Sequence, residues 1–180
     1  MDAIDRKILK ILQRDAMATV AQIGAQVGLS STPCWKRIQK LLESGVIRKR
    51  VAILAPEKVG FGVMVQVAIQ AGDHSPEAIS AFARTVCAMP EVLEFQRLAG
   101  DLDFLLRVVA VDIAHYDAFY KRLTAVMPLR RVSSYFLLQQ LKGETALPLE
   151  IGTEQADPQS ANGRKTNLAA AGASRSSLSV

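Results

Sequence analysis

The stretch Gly28-Leu29-Ser30-Ser31-Thr32-Pro33-Cys34-Trp35-Lys36-Arg37-Ile38-Gln39-Lys40-Leu41-Leu42-Glu43-Ser44-Gly45 decides how the first part of this chain folds. Gly28 suits the left-handed position that stops one helix, and Ser30 suits the cap of the next. Pro33 falls in the first turn of that next helix, where the backbone N–H groups have no intrahelical partner to lose. At about 100° per residue, Cys34, Ile38, Leu41 and Leu42 form one apolar stripe. Thr32, Lys36, Gln39 and Lys40 lie on the opposite side, with Trp35 and Arg37 at the flanks. Gly45 closes the helix.

Upstream, Thr19 followed three residues later by Gln22 makes a capping-box pattern, and Val20, Ile23 and Val27 supply the apolar side of a helix that ends at Gly28. Asp2 caps an earlier helix carrying Ile4, Ile8, Ile11 and Leu12, which ends near Arg14-Asp15. Two helices joined by the tight Gly28-Leu29-Ser30 turn, with a third before them, make a helix-turn-helix arrangement.

The net charge of +5 is unevenly spread. Residues 1–50 hold ten Lys/Arg against four Asp/Glu, residues 51–150 nine against eleven, and residues 151–180 three against two. The excess in the first fifty is the footprint of a module that meets a polyanion, although a membrane-binding basic segment gives the same balance. Lys36 and Lys40 are suited to phosphate or guanine, Gln39 to adenine, and Ser31 and Thr32 to a phosphate at the helix N-terminus. Ser31, Thr32, Trp35, Lys36, Arg37, Gln39 and Lys40 are therefore candidate contacts to double-stranded DNA. Trp35 either touches DNA or packs against a strand after the helix. Cys34, on the core stripe, reads as a small buried hydrophobe. Beyond Val46-Ile47, Arg48-Lys49-Arg50 and Val51–Leu54 read either as a short strand or wing, with Arg48 and Lys49 against the DNA backbone, or as a basic linker.

Pro56–Gly62 is a connection. Four strands and two helices then alternate. Val63, Val65, Val67 and Ile69 mark the first strand, and Ser75-Pro76-Glu77 starts a helix with Ile79, Phe82, Val86 and Met89. Val92–Leu98 and Phe104–Ala110 are strands joined by a hairpin turn. Asp112 caps a helix with Tyr116, Phe119 and Leu123, and Val132–Leu138 is the last strand. The order β-α-β-β-α-β is the ferredoxin-like unit. Its two helices cover one sheet face. Leu93, Phe95, Leu105, Val109, Tyr135 and Leu137 are expected on the other, where exposure is costly at about 25 cal/mol per Å². A second copy of the sheet is the economical cover, so a homodimer is expected.

Gly100-Asp101-Leu102-Asp103 is the best small-molecule candidate. Glycine lets backbone N–H groups approach a carboxylate, and the Asp side chains can receive an ammonium, as a zwitterionic amino acid requires. A structural hairpin turn is the alternative. With Cys34 and Cys87 far apart and His74 and His115 the only histidines, no disulfide framework, metal site or catalytic centre is supported. No apolar run approaches the roughly 20 residues of a membrane span, and the N-terminus lacks signal-peptide features, which points to a cytoplasmic location.

With its segments placed, the chain resembles the Lrp/AsnC (feast/famine) regulators from Asp2 to about Leu149. The marks are Asp5-Arg6-Lys7-Ile8-Leu9, Val27-Gly28-Leu29-Ser30, Pro33-Cys34 with Arg37, Gly45-Val46-Ile47, Pro90-Glu91-Val92, Gly100-Asp101-Leu102-Asp103, Ser133-Ser134 and Thr145-Ala146-Leu147-Pro148-Leu149. Thr32–Arg37 and Asp117–Leu123 are similar to a subgroup that includes a cysteine-responsive regulator. The resemblance implies transcription regulation, with dimers assembling into tetramers or octamers. It also implies an amino-acid effector, cysteine among the candidates, held between dimers near Leu98, the Gly100–Asp103 turn and the Ser133-Ser134 strand. Leu102 departs from the aromatic that many members carry.

The expectation is thus an α+β chain without cofactor or metal: a three-helix, winged helix-turn-helix domain at 1–50, a strand or linker at 51–61, a ferredoxin-like sensing and oligomerisation domain at 62–149, and a disordered tail at 150–180. It is expected to be a sequence-specific regulator of amino-acid metabolism or transport genes. The rivals are a DNA-wrapping architectural protein and an enzyme like the sirohaem decarboxylases. The latter share the two-domain architecture but rely on histidines, whereas His115 here falls on the polar side of its helix and His74 in a loop.

Overall fold

The computed structural model describes residues 1–150, so the tail expected beyond Glu150 lies outside the described residues. The chain divides into two units, Met1–Val51 with the segment that begins at Glu144, and Ala52–Gly143. Residues 144–149, expected from the sequence in the second domain, thus belong with the first.

In the first unit, helices α1 (Ala3–Arg14), α2 (Val20–Val27) and α3 (Ser31–Glu43) surround Ile8, Leu9, Ile23, Cys34, Ile38 and Leu41. Both expected capping devices form. Asp2 and Asp5 bond each other's backbone N–H at 2.9 Å, as do Thr19 and Gln22 at 2.8 and 3.3 Å. Gly28 stops α2 at φ 74°, in the left-handed region that glycine favours. Ser30 occupies the cap of α3 but makes no side-chain capping bond. No strand comes after α3 in the first unit among the described residues. Ile47 donates to the Leu41 carbonyl at 3.0 Å, and residues 48–55 then run on without regular structure, so of the two readings the basic linker is the one found.

In the second unit, a short 3-10 turn (Pro56–Val59) leads to β1 (Val63–Ala71), α4 (Pro76–Cys87), β2 (Val92–Arg97), β3 (Phe104–Ala110), α5 (Ile113–Thr124) and β4 (Leu129–Phe136). The sheet order is β2-β3-β1-β4, with every neighbour antiparallel. Ser75 and Asp112 cap the two helices through Ala78 and His115 N–H groups. Val65, Val67 and Ile69 of β1 and Phe104, Leu106 and Val108 of β3 are buried with Phe82, Val86, Phe119 and Leu123 of the helices. That cluster is the core. β4 begins at Leu129, earlier than its valine pattern suggests, because Leu129 pairs with Ala71 beyond a register shift at Gln70.

One expectation about the uncovered face needs correction. A register shift between Val92 and Glu94 inserts Leu93 as an extra residue, and side chains beyond it change sides. Phe95 therefore pairs with Leu106 and packs on the core, meeting Phe82 edge-to-face and Phe104 at a tilt, at ring distances of 5.9 and 5.2 Å. Glu94 instead faces outward, 2.5 Å from Arg107 on β3. The open face carries Leu105, Val109 and Tyr135 as expected, but also Gln66, Gln70, Glu94, Arg107 and Ser133 by their register, so it is mixed rather than apolar.

Candidate nucleic-acid face and ligand turn

On α3 the core stripe is buried, and Ser31, Thr32, Trp35, Lys36 and Lys40 are exposed, with Gln39 half-buried. Trp35 is 51% exposed, and no strand follows α3 in the first unit among the described residues. Arg48 and Lys49 are likewise exposed. Lys36, Lys40 and Arg37 line an open recess with Met1, Asp2 and Asp5, which suits a groove-facing surface better than an enclosed ligand.

Arg37 differs from its neighbours. One of its terminal nitrogens bonds Asp2 at 2.6 Å and Asp5 at 2.7 Å, tying α3 to the start of α1. The two carboxylates raise the guanidinium pKa further, and the Asp5 backbone N–H together with Arg37 lowers that of Asp2. This cation is committed inside the fold. Cys34 is fully buried, and burial pushes its thiol pKa up, which keeps it protonated and unreactive.

The turn after β2 is built as tightly. Gly100 takes φ 149°, Leu98 donates to the Asp103 carbonyl at 2.8 Å, and Asp103 donates to the Ile69 carbonyl at 2.9 Å. The Asp103 carboxylate accepts the Ala71 N–H at 2.8 Å and stands 3.5 Å from His74. Gln70 donates to the Asp101 carbonyl at 2.5 Å. The Asp101 side chain is exposed and points to no bonded partner among the described residues, and Leu102 is half-buried. Ser133 and Ser134 project to opposite sheet faces, as adjacent strand residues must. Ser134 is paired with Val67 on the core side and accepts the Tyr116 hydroxyl at 2.6 Å, while Ser133 lies opposite Ala68 on the open face. Of the expected ligand set, Asp103 and Ser134 therefore serve the fold, and Leu98, Gly100, Asp101, Leu102 and Ser133 remain available.

Both histidines are engaged: His74 beside Asp103, and His115 with Glu91 at 3.2 Å. Burial pushes the Glu91 pKa up, but hydrogen bonds from the backbone, Arg122 and His115 outweigh it and hold it below the usual range. Among the described residues no group of His, Cys, Asp and Glu could hold a metal ion, and no helix is long and apolar enough to cross a membrane. The Asp2–Arg37 latch was not foreseeable from the sequence, since two acids three apart on one helix say nothing of a basic partner on another.

A basic, solvent-facing third helix on a helix-turn-helix unit, joined to a ferredoxin-like unit, defines a DNA-binding transcription regulator. The AsnC-type helix-turn-helix domain matches residues 1–42, and the Lrp/AsnC ligand binding domain matches residues 64–147. The Escherichia coli DNA-binding transcriptional activator DecR is 44% identical over 151 residues, 83% of this chain and 99% of its own. The glutamate uptake regulatory protein of Zymomonas mobilis is 43% identical over 157 residues, 87% of this chain and 96% of its own. A crystal structure of an AsnC family regulator from Agrobacterium tumefaciens superposes with a TM-score of 0.79 at 54% identity, covering 84% of this chain and 99% of that one. A Neisseria meningitidis regulator solved in complex with L-Met gives 0.79 at 31% identity, covering 84% and 98%. The chain belongs to the Lrp/AsnC family of transcription regulators.

Proposed function

We propose that this regulator binds a specific operator as a homodimer and that an amino acid modulates that binding. The observation that carries the DNA reading is the division of labour on α3. Lys36 and Lys40 stand exposed with no ion pair among the described residues, while Arg37 beside them is neutralised by Asp2 and Asp5. Lys36, Lys40 and Gln39, with Trp35 and the hydroxyls of Ser31 and Thr32, would meet the groove. Arg48 and Lys49 would follow the phosphate backbone.

Two copies joined through the open face would present two such helices to a pseudo-palindrome. The half-buried Leu105 and the exposed Tyr135 supply apolar surface for that contact, and higher assemblies would be built from the dimer. Support for an amino-acid effector comes from the L-Met complex of the Neisseria regulator and from the exposed Asp101 carboxylate beside Gly100. Cysteine, methionine and glutamate are the first amino acids to try. The chain is proposed to act in the cytoplasm on genes of amino-acid metabolism or transport, without a catalytic role.

The test is genome-wide mapping of bound sites, then titration of the recovered site against scrambled DNA. A specific regulator prefers its site by about a thousandfold or more. Near-equal affinity for both would instead identify an architectural DNA-wrapping protein.

A further inference from the structure

Arg6, Lys10 and Gln13 stand at i, i+4 and i+7 on α1 and so form one stripe along it. That stripe grips a stretch of backbone without regular structure. The Gln13 side chain accepts the Leu147 N–H at 2.6 Å and donates to the Leu147 carbonyl at 3.2 Å, reproducing with an amide side chain one rung of an antiparallel ladder. Two residues on, Arg6 donates to the Leu149 carbonyl at 3.3 Å, and Leu149 packs on the helical core. Lys10 pairs with the Glu150 carboxylate and lowers its pKa. Leu147 points away, 70% exposed. Main-chain bonds, one apolar anchor and one acid are the means by which a protein surface recognises an extended peptide.

The position of this peptide in the chain gives it meaning. The chain leaves the DNA-binding unit at Val51, forms the whole second unit, and re-enters the first at Glu144. Each crossing is a covalent tether, but the second holds only while residues 147–150 stay on α1. With that strap released, the irregular 48–55 segment is the covalent tether that remains. The orientational freedom so gained has to be surrendered again when DNA binds.

We propose that the α1 stripe is a docking groove for the Leu147–Glu150 strap, and that the docked strap strengthens DNA binding without touching DNA. The experiment uses the full-length protein with Gln13→Ala and, from the other side of the same bond, Leu147→Pro, which removes the N–H while altering an exposed side chain. Hydrogen exchange over residues 144–150 reports docking. In the unaltered protein the Leu147 amide should be protected; Gln13→Ala should lose that protection, Leu147→Pro removes the amide itself, and each variant should bind DNA about fivefold more weakly. The double variant should be no worse than either single one. The salt dependence of binding should not change, because no phosphate contact is lost. Unprotected strap amides in the unaltered protein would overturn the proposal. So would released straps with full affinity, or a smaller salt slope that makes Gln13 a DNA contact. Thermal melting closes the remaining route: if the affinity loss stems from unfolding of the three helices at the assay temperature, the strap is a piece of the core and not a tether.

Discussion

The guanidinium of Arg37 lies 2.6 Å from the carboxylate of Asp2, so a cation on the candidate DNA-binding helix serves as the latch between α3 and the start of α1. Latch and phosphate contact make opposite predictions. Arg37→Met should lower the melting temperature yet leave the salt slope of DNA binding unchanged. The Asp2 pKa is lowered by the Asp5 backbone N–H and by Arg37, so its contribution is present above the ordinary carboxylate range and is lost as pH falls through the depressed value. The variant should therefore begin acid unfolding at a higher pH, which circular dichroism against pH will show.

Lys36→Ala and Lys40→Ala should behave in the reverse way. Each weakens DNA binding and reduces the salt slope by about one, with little change in thermal stability. Anisotropy titrations at several salt concentrations measure both quantities. Unchanged slopes in both variants would remove this face from the interface.

Gly24 closes the packing of the helix-turn-helix from the inside. A Cβ placed there would stand 2.6 Å from the Leu29 carbonyl oxygen, a backbone atom that also cannot move without disturbing the turn. Gly24→Ala should destabilise the first unit by about 1–3 kcal/mol, the usual cost of overpacking, despite the better helix propensity of alanine. Chemical denaturation of the full chain is the measurement.

Two aspartates in one turn should separate function from fold. Asp103→Ala strands the Ala71 N–H, which the Asp103 carboxylate accepts at 2.8 Å, and should cost about 1–3 kcal/mol. Asp101→Ala removes an exposed carboxylate and should leave stability intact while blunting any amino-acid-induced thermal shift. Loss of stability in the Asp101 variant would make this turn structural throughout.

Tyr135 tests the open sheet face, because it is 59% exposed and its replacement spares the core. Tyr135→Glu should weaken self-association about tenfold or more in sedimentation velocity, the loss expected of a central aromatic contact.

The local devices were legible because they depend on near neighbours. Asp2, Thr19, Gly28, Ser75 and Asp112 each occupy the capping position that their residue types imply, and the strand alternation from Val63 to Ile69 set the core side of β1 correctly. What was not legible depends on count or on distance. The side taken by Phe95 turned on one extra residue at Leu93, which no alternation pattern reveals. The commitments of Arg37 to Asp2, of Ser134 to Tyr116 and of Gln13 to Leu147 join residues 35, 18 and 134 positions apart. Those pairings exist only once the chain has folded. The candidate DNA face was therefore readable as a surface, but not which of its cations was already taken.

The bulge at Leu93 also bears on how this chain tolerates change in length. Identity at that position matters little, since the side chain is half exposed, and the residue itself is dispensable for the register, because Val92 and Glu94 on either side of it pair with the consecutive residues Val108 and Arg107. A deletion of Leu93 would remove the kink and leave Glu94 opposite Arg107 and Phe95 opposite Leu106, each on the side it already takes. The exposed hairpin at Ala99-Gly100, a few residues on, lies outside the paired strands and sets no side at all. A one-residue deletion should accordingly be tolerated at Leu93 and not at Phe95, while insertions collect at the hairpin.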